Sequence, residues 1–165
     1  MEARGVVPNR VTYNSVIEAL AAAGEPIRAE LVFMSGVRTG IYSLEDLQTS
    51  NPTGGGSSGG GHSPDKSTLT MDLHWYSVAV AKAAISHVLG EVLAGALPVA
   101  PLCLITGRGN HVNPGIAPGV LRAQVEAFLR QQGLSPERAA HNSGRLLVSG
   151  NAMVLWFERS IDGTD

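Results

Sequence analysis

The sequence predicts an α/β protein with three parts: a helical hairpin over residues 1–49, a linker over 50–64 and a βαβα-β domain over 65–160. Three observations predict this organisation. Apolar residues recur at helical spacing up to residue 40, glycine and serine dominate 50–64, and apolar runs of strand length alternate with helical patterns after residue 65. A length of 165 residues suits one ordinary domain or two small ones.

Two helices are predicted in the first part. The first runs over 12–23 and stops at Gly24, and the second begins at Pro26, which suits a first helical turn. Their apolar positions are Val16, Ile17, Leu20 and Ala23 in the first helix and Ile27, Leu31, Val32 and Phe33 in the second. The pair Gly5-Val6 recurs as Gly40-Ile41 after 35 residues, a spacing that indicates a repeat.

The segment 50–64 is predicted to be flexible because six of the chain's 20 glycines lie in it beside four serines and two prolines. A Gly-rich coil of this length spans on the order of 20 Å. We therefore expect it to decouple the parts on either side.

The third part shows strand and helix patterns in alternation. Strands are predicted over 69–74, 101–105 and 145–149, and helices over 78–94 and 119–132, with the final apolar segment 152–157 open to either form. Two strands joined through a helix are expected to lie parallel, and ligands gather at their carboxyl ends.

Polar residues that carry chemistry fall at those ends. Asp72 and His74 close the first strand, and a carboxylate can orient an imidazole that moves a proton near neutral pH. After the second strand, Gly107 and Gly109 let the backbone approach a phosphate and Arg108 offers a bidentate contact, with Thr106 preceding them. Arg122, at the start of the next helix, adds a second positive group.

Each of these residues also has a structural interpretation. His74 can be a satisfied structural histidine, Asp72 a turn carboxylate and 106–109 a bend between strand and loop. Trp75 is more often a core or rim aromatic than a surface on which a base stacks. His111 is more often a solvated loop residue than a phosphate donor.

Composition limits the function classes. A single cysteine, Cys103, excludes an internal disulfide and a cysteine-based zinc site. The net charge of −2 argues against strong unaided nucleic-acid binding, although 66–165 holds eight basic and seven acidic residues against four and six in 1–49. The longest apolar run, 92–105, contains two prolines and is too short for a membrane span, so we expect no membrane partner.

The first part resembles a pentatricopeptide repeat in 8–20, in Ala23-Gly24, and in Ala29 and Phe33 before Gly40-Ile41. Members of that family bind single-stranded RNA, each repeat reading about one base. The resemblance implies base contacts at Asn14 and at Asn9, which closes the preceding repeat, whereas Leu44 departs from the usual polar residue. One repeat cannot bury both its faces, so we expect further repeats upstream in a longer protein.

The third part resembles the small MutS-related (SMR) domain over about 69–158. The resemblance rests on Met71-Asp-Leu-His, Leu104-Ile-Thr-Gly-Arg-Gly, Gly119-Val-Leu-Arg and Asn142-Ser-Gly-Arg. The family marks are Leu-Asp-x-His and Thr-Gly-x-Gly; Met71 replaces the leading leucine, and Trp75 stands where stand-alone members have glycine. The resemblance implies a compact α/β sandwich with nicking or RNA-cleaving activity.

Together the two resemblances imply an RNA-processing protein of a chloroplast or mitochondrion. In this interpretation the repeats select single-stranded RNA, and the SMR domain cleaves it through Asp72 and His74. Asp72 either orients His74 or holds Mg²⁺, so the cofactor is Mg²⁺ or none. The phosphate contacts would come from Thr106, Gly107, Arg108, Gly109 and Arg122. The alternative is a non-catalytic module that protects or positions RNA or docks on a nucleoid protein, with DNA as a second candidate partner. A further alternative is a scaffold that binds a small phosphate compound. The oligomeric state is not predicted.

Overall fold

A computed structural model describes residues 7–43, 48–49, 68–107, 119–139 and 142–163, which form two compact units. The first unit contains three helices: α1 (Arg10–Ala22), α2 (Pro26–Arg38) and α3 (Val78–Leu93). The second unit contains the strands and two further helices: β1 (Gln48–Thr49), β2 (Leu69–Asp72), β3 (Leu102–Ile105), α4 (Val120–Gln131), β4 (Glu137–Ala139), β5 (Asn142–Val148) and α5 (Gly150–Asp162).

The helices of the first unit begin and end close to their predicted positions. Asn9 caps α1, because its side chain accepts a hydrogen bond from the backbone N–H of Thr12 at 3.1 Å. Gly24 then breaks the helix with a φ of +74°, which permits the tight turn into Pro26 at the start of α2.

The predicted apolar stripes of the hairpin are corrected by the structure. Ile27 and Leu31 expose 75% and 57% of their surface, and Val16 is also exposed. The buried positions are Ile17 in α1 and Ala29, Phe33 and Gly36 in α2. These small and aromatic residues let the two helices approach closely, so hydrophobicity alone does not identify the packed face.

α3, which follows β2 in the chain, packs against both α1 and α2. The ring of Phe33 on α2 lies 6.0 Å from the ring of the buried His87 on α3. The predicted linker, 50–64, lies outside the described residues. The boundaries at 49, 64 and 160 therefore stay predictions.

Tyr42 is the centre of an aromatic cluster in the first unit. Its ring stacks on Phe33 at 4.6 Å between centroids, and Arg10 places its guanidinium 5.7 Å from the ring centroid. The hydroxyl of Tyr42 donates to Oδ1 of Asn14 at 2.6 Å. Burial raises the pKa of Tyr42 to about 12, so the ring stays neutral under physiological conditions.

Two helical glycines in this unit give a matched stability prediction. A Cβ on Gly36 would lie 2.5 Å from the Tyr42 ring, which is held on all sides, whereas a Cβ on Gly90 would meet nothing closer than Glu30 at 4.0 Å. Thermal unfolding of the whole chain should therefore show Gly36→Ala losing about 3 kcal/mol and Gly90→Ala gaining about 0.5–1 kcal/mol. Equal melting temperatures for the two variants would contradict this packing.

The second unit contains one mixed sheet in the order β1-β2-β3-β5-β4. β2 and β3 are parallel, as predicted, and β5 pairs antiparallel with both β3 and β4. β4 was not predicted, because three residues are too few to show an alternating pattern. The final segment, left open by the sequence, is the helix α5, which Ser149 caps.

The two faces of this sheet differ in burial. Met71, Leu104 and Leu146 are register partners across β2, β3 and β5, and all three are buried. The neighbouring row of register partners, Asp72, Ile105 and Arg145, lies on the opposite face because successive residues of a strand alternate. Polar residues therefore share one face of the sheet at the end of β2.

The buried positions are apolar almost throughout the described residues, and the exceptions are His87 and Thr106. Cys103 is buried as well, and this burial raises the pKa of its thiol. Within the described ranges, no helix is both long enough and apolar enough to cross a membrane.

Candidate functional site

Asp72 and His74 form a hydrogen-bonded pair at the carboxyl end of β2. Oδ1 of Asp72 accepts from the backbone N–H of His74 at 3.1 Å and also pairs with Nδ1 of the ring. The predicted strand would have included His74, but the last ladder bond is donated by Leu73 to Ile105, and His74 turns away. Because a carboxylate only accepts hydrogen bonds, the neutral ring carries its proton on Nδ1 and is basic at Nε2.

Both side chains of this pair are accessible from outside. His74 exposes 36% of its side chain and Asp72 exposes 38%. An imidazole in the apolar core would have no route to a substrate, so this exposure is what acid–base chemistry requires. The structural-histidine interpretation is not supported by burial.

Gly107 lies directly against His74. Its φ is +74°, and a Cβ at this position would lie 3.3 Å from Cβ of His74. A glycine is therefore needed here for two reasons, the left-handed backbone and the close approach. The loop after β3 and the acid–imidazole pair after β2 occupy the same edge of the sheet, as the sequence predicts.

Thr106 was expected to contact a phosphate, and the structure also gives it a structural role. Its side chain is buried, and its hydroxyl and backbone N–H donate to the carbonyl of Gly144 at 3.2 and 2.8 Å. Gly144 in turn donates to Oδ1 of Asn142 at 3.1 Å. Thr106 therefore ties the start of the glycine loop to β5, and its phosphate contact stays a prediction.

Arg122 belongs to the same edge. Its Nη1 donates to the carbonyl of Ser143 at 2.7 Å, which links the first turn of α4 to the start of β5. The N-cap of α4, Gly119, has a φ of +79° and has no side chain that could cap the helix. The contact between Arg122 and a phosphate stays a prediction.

Some of the other predicted site residues lie elsewhere or are not described. Arg108, Gly109, His111 and Leu44 fall outside the described residues. The Oδ1 acceptors of Asn9 and Asn14 are used inside the first unit, by the cap of α1 and by Tyr42. Trp75 exposes 72% of its surface, which excludes the core interpretation.

Arg145 is a site residue that was not predicted, although the motif Asn142-Ser-Gly-Arg contains it. Arg145 is exposed in β5 and is the register partner of Ile105, which is the register partner of Asp72. The signal was the alternation of exposed and buried residues along β5. That alternation becomes informative only when the pairing of β5 with β3 is known.

The described part of the site offers few ligands to a magnesium ion. Mg²⁺ in proteins is held by oxygen ligands, usually one or two carboxylates with substrate phosphates. Asp72 is a single carboxylate whose Oδ1 is engaged by His74, and the described residues contain no group of three metal-binding side chains. The Mg²⁺ expected on Asp72 therefore stays a prediction.

Comparison with known proteins identifies this part of the chain. A family model described as the Smr domain matches residues 71–154, half of the chain. The chain belongs to the Smr domain family. The matched segment begins one residue before Asp72 and contains His74, Gly107, Arg122 and Arg145. Smr domains are nucleic-acid-binding and nuclease-type modules, so the protein has a nucleic-acid-related role.

The comparison with curated proteins and the comparison with solved structures both gave no match.

Proposed function

We propose that the Smr domain is an endoribonuclease in which His74 is the general base and Asp72 orients it. The observation that carries this proposal is the accessible Asp72–His74 pair packed against Gly107 at one sheet edge. A base, its orienting carboxylate and a backbone that a phosphate can approach closely are the parts that phosphodiester transfer needs.

The reaction follows from the tautomer that Asp72 holds. Nε2 of His74 takes the proton of a ribose 2′-hydroxyl, and the 2′-oxygen attacks the adjacent phosphorus. The P–O5′ bond breaks, the 5′-oxygen takes a proton from solvent, and a 2′,3′-cyclic phosphate remains. Asp72 stabilises the imidazolium formed in this step, and the amides of the glycine loop with Arg122 offset the charge that develops on the phosphate. The nucleophile belongs to the substrate, so no bound metal is needed to create it.

The proposal extends to the first unit. We assign the hairpin of α1 and α2 to the pentatricopeptide repeats, which would select the RNA within a chloroplast or mitochondrion. Support comes from the 35-residue spacing of the Gly-Val and Gly-Ile pairs and from two helices of 13 residues each with glycine turns after them. Selection by repeats supplies local concentration, which agrees with a net charge of −2. Fluorescent fusions of the full-length protein test the compartment.

Cleavage of labelled oligonucleotides by the whole chain tests the activity. The substrates are a single-stranded RNA, the same RNA with one 2′-deoxy residue at the mapped cleavage position, and the DNA of the same sequence. Cleavage of the RNA alone, with a 2′,3′-cyclic phosphate end and unchanged in EDTA, is expected.

Cleavage of the 2′-deoxy substrate would show that His74 deprotonates water and not the ribose hydroxyl. Loss of activity in EDTA would show that cleavage needs Mg²⁺, as expected from the sequence. Binding of all three substrates with no product from any of them would favour the non-catalytic module.

A further inference from the structure

We propose that Arg145 binds a backbone phosphate next to the scissile one. The nucleic-acid strand then lies across the sheet over the row of register partners Asp72, Ile105 and Arg145. The inference rests on the proposed function, since it concerns the same site. Its first support is register. Asp72 pairs with Ile105 in parallel β2 and β3, and Ile105 pairs with Arg145 in antiparallel β3 and β5.

This row lies on the face opposite the apolar core of the sheet. The adjacent row, Met71, Leu104 and Leu146, is buried, and strand residues alternate between faces. Arg145 is exposed and Ile105 is half-buried, so the row from the acid–imidazole pair to the guanidinium is accessible. Two strand spacings amount to about 10 Å, a separation that the long arginine side chain shortens.

The second support is the way arginines are used in this unit. Arg122 donates to Ser143, Arg130 and Arg138 pair with Glu126, and Arg159 donates to Gly133. Among the described residues of the second unit, Arg145 is the arginine with neither a side-chain hydrogen bond nor an ion pair. Its guanidinium therefore keeps all five donors available for a ligand.

The chemistry of that ligand follows from the group and its surroundings. A guanidinium binds phosphate through two parallel N–H···O bonds. Arg145 offers these donors in the same row as the groups that would act on a phosphodiester, with only an apolar residue, Ile105, between them. A second phosphate of the same strand satisfies both the charge and the position, and it fixes the direction in which the strand crosses β2, β3 and β5.

The test measures binding separately from cleavage. Affinity of the whole chain for a 2′-O-methyl RNA, which the proposed reaction cannot cleave, is measured over a series of salt concentrations for the wild type, Arg145→Gln and Arg138→Gln. Arg138 is the matched control, because it loses the same charge from an exposed strand position but is paired with Glu126 and is the register partner of the buried Leu146.

Arg145→Gln should weaken binding about tenfold and reduce the slope of log affinity against log salt by about 0.7, the value for one phosphate of a single strand. Arg138→Gln should leave affinity within about twofold. A neutral methylphosphonate at one linkage beside the cleavage position should then make the wild type and Arg145→Gln bind equally.

The proposal is overturned if the slope of log affinity against log salt is the same for Arg145→Gln and the wild type. It is also overturned if the two proteins still differ in affinity whichever linkage carries the methylphosphonate. A chain that binds in this Arg145-dependent way but cleaves no RNA would overturn the nuclease and leave the phosphate contact standing. If the wild type cleaves RNA and Arg145→Gln binds RNA as tightly as the wild type, the phosphate contact is overturned and the nuclease stands.

Discussion

Replacing His74 with alanine is expected to lower the RNA cleavage rate by at least about 100-fold while the dissociation constant for uncleavable RNA changes less than about threefold. Alanine removes Nε2, the proposed base, but takes away no positive charge from the phosphate contacts. Asp72→Asn is expected to cause a loss of similar size. The amide keeps the shape of the carboxylate, yet it cannot stabilise the imidazolium, and it can present N–H₂ to Nδ1 and so favour the wrong tautomer.

The matched control for the charge change is Asp162→Asn at the exposed end of α5, which should cleave as the wild type does. Added imidazole should restore part of the activity of His74→Ala and none of the activity of Asp72→Asn, because only the first variant has room for the missing ring. Wild-type rates in both His74→Ala and Asp72→Asn would remove the proposed chemistry, whatever the binding data show.

Gly107→Ala is expected to reduce cleavage about 10- to 100-fold, because a Cβ there would approach Cβ of His74 to 3.3 Å and push the ring from its position. The substitution also places a side chain at a φ of +74°, which costs about 1–2 kcal/mol of stability. The cleavage rate and the melting temperature of the whole chain are measured together, so that the two effects are separated.

Gly133→Ala separates the strain from the contact. Gly133 has nearly the same φ, +78°, and a Cβ there would meet no atom within 4 Å. We expect this variant to lose as much stability as Gly107→Ala but to cleave RNA at the wild-type rate. Equal activity of the two variants would show that the contact between Gly107 and His74 has no catalytic importance.

Local patterns in the sequence predicted most elements of the fold. The helices α1, α3 and α4 begin and end within two residues of their predicted limits, and α2 begins at Pro26 as predicted. Glycine, proline and serine mark most of these limits directly. β1 and β4 were missed and the form of α5 was left open. A three-residue strand is defined by its partner β5, and a helix whose apolar residues are adjacent in sequence reads equally well as a buried strand.

Long-range packing could not be predicted in the same way. Ile27 and Leu31 are as hydrophobic as the residues of any core, yet Ala29 and Gly36 are buried and these two are exposed. The Tyr42 ring leaves no room for a larger residue at Gly36. The grouping of α3 with α1 and α2 depends on contacts such as Phe33 with His87, which no local pattern reveals.

The candidate site was predicted in part. Asp72, His74 and Gly107 follow motifs that the sequence shows, and strand ends bring them together. The position of Arg145 depends on β5 pairing with β3, a register that is set by tertiary structure. Thr106 has a structural bond that its motif does not reveal, because its hydroxyl donates to the carbonyl of Gly144 on a neighbouring strand.

The central claim is that His74 and Gly107 contact the same phosphate of the RNA. Nuclear magnetic resonance of the isotope-labelled whole chain during titration with 2′-O-methyl RNA tests it most directly. The ring signals of His74 and the amide signal of Gly107 should shift over the same range of RNA concentration and give one dissociation constant. This constant should equal the one from the affinity measurement with 2′-O-methyl RNA. Movement of the Gly107 amide with a stationary His74 ring, or a bound RNA that shifts neither signal, would contradict the account.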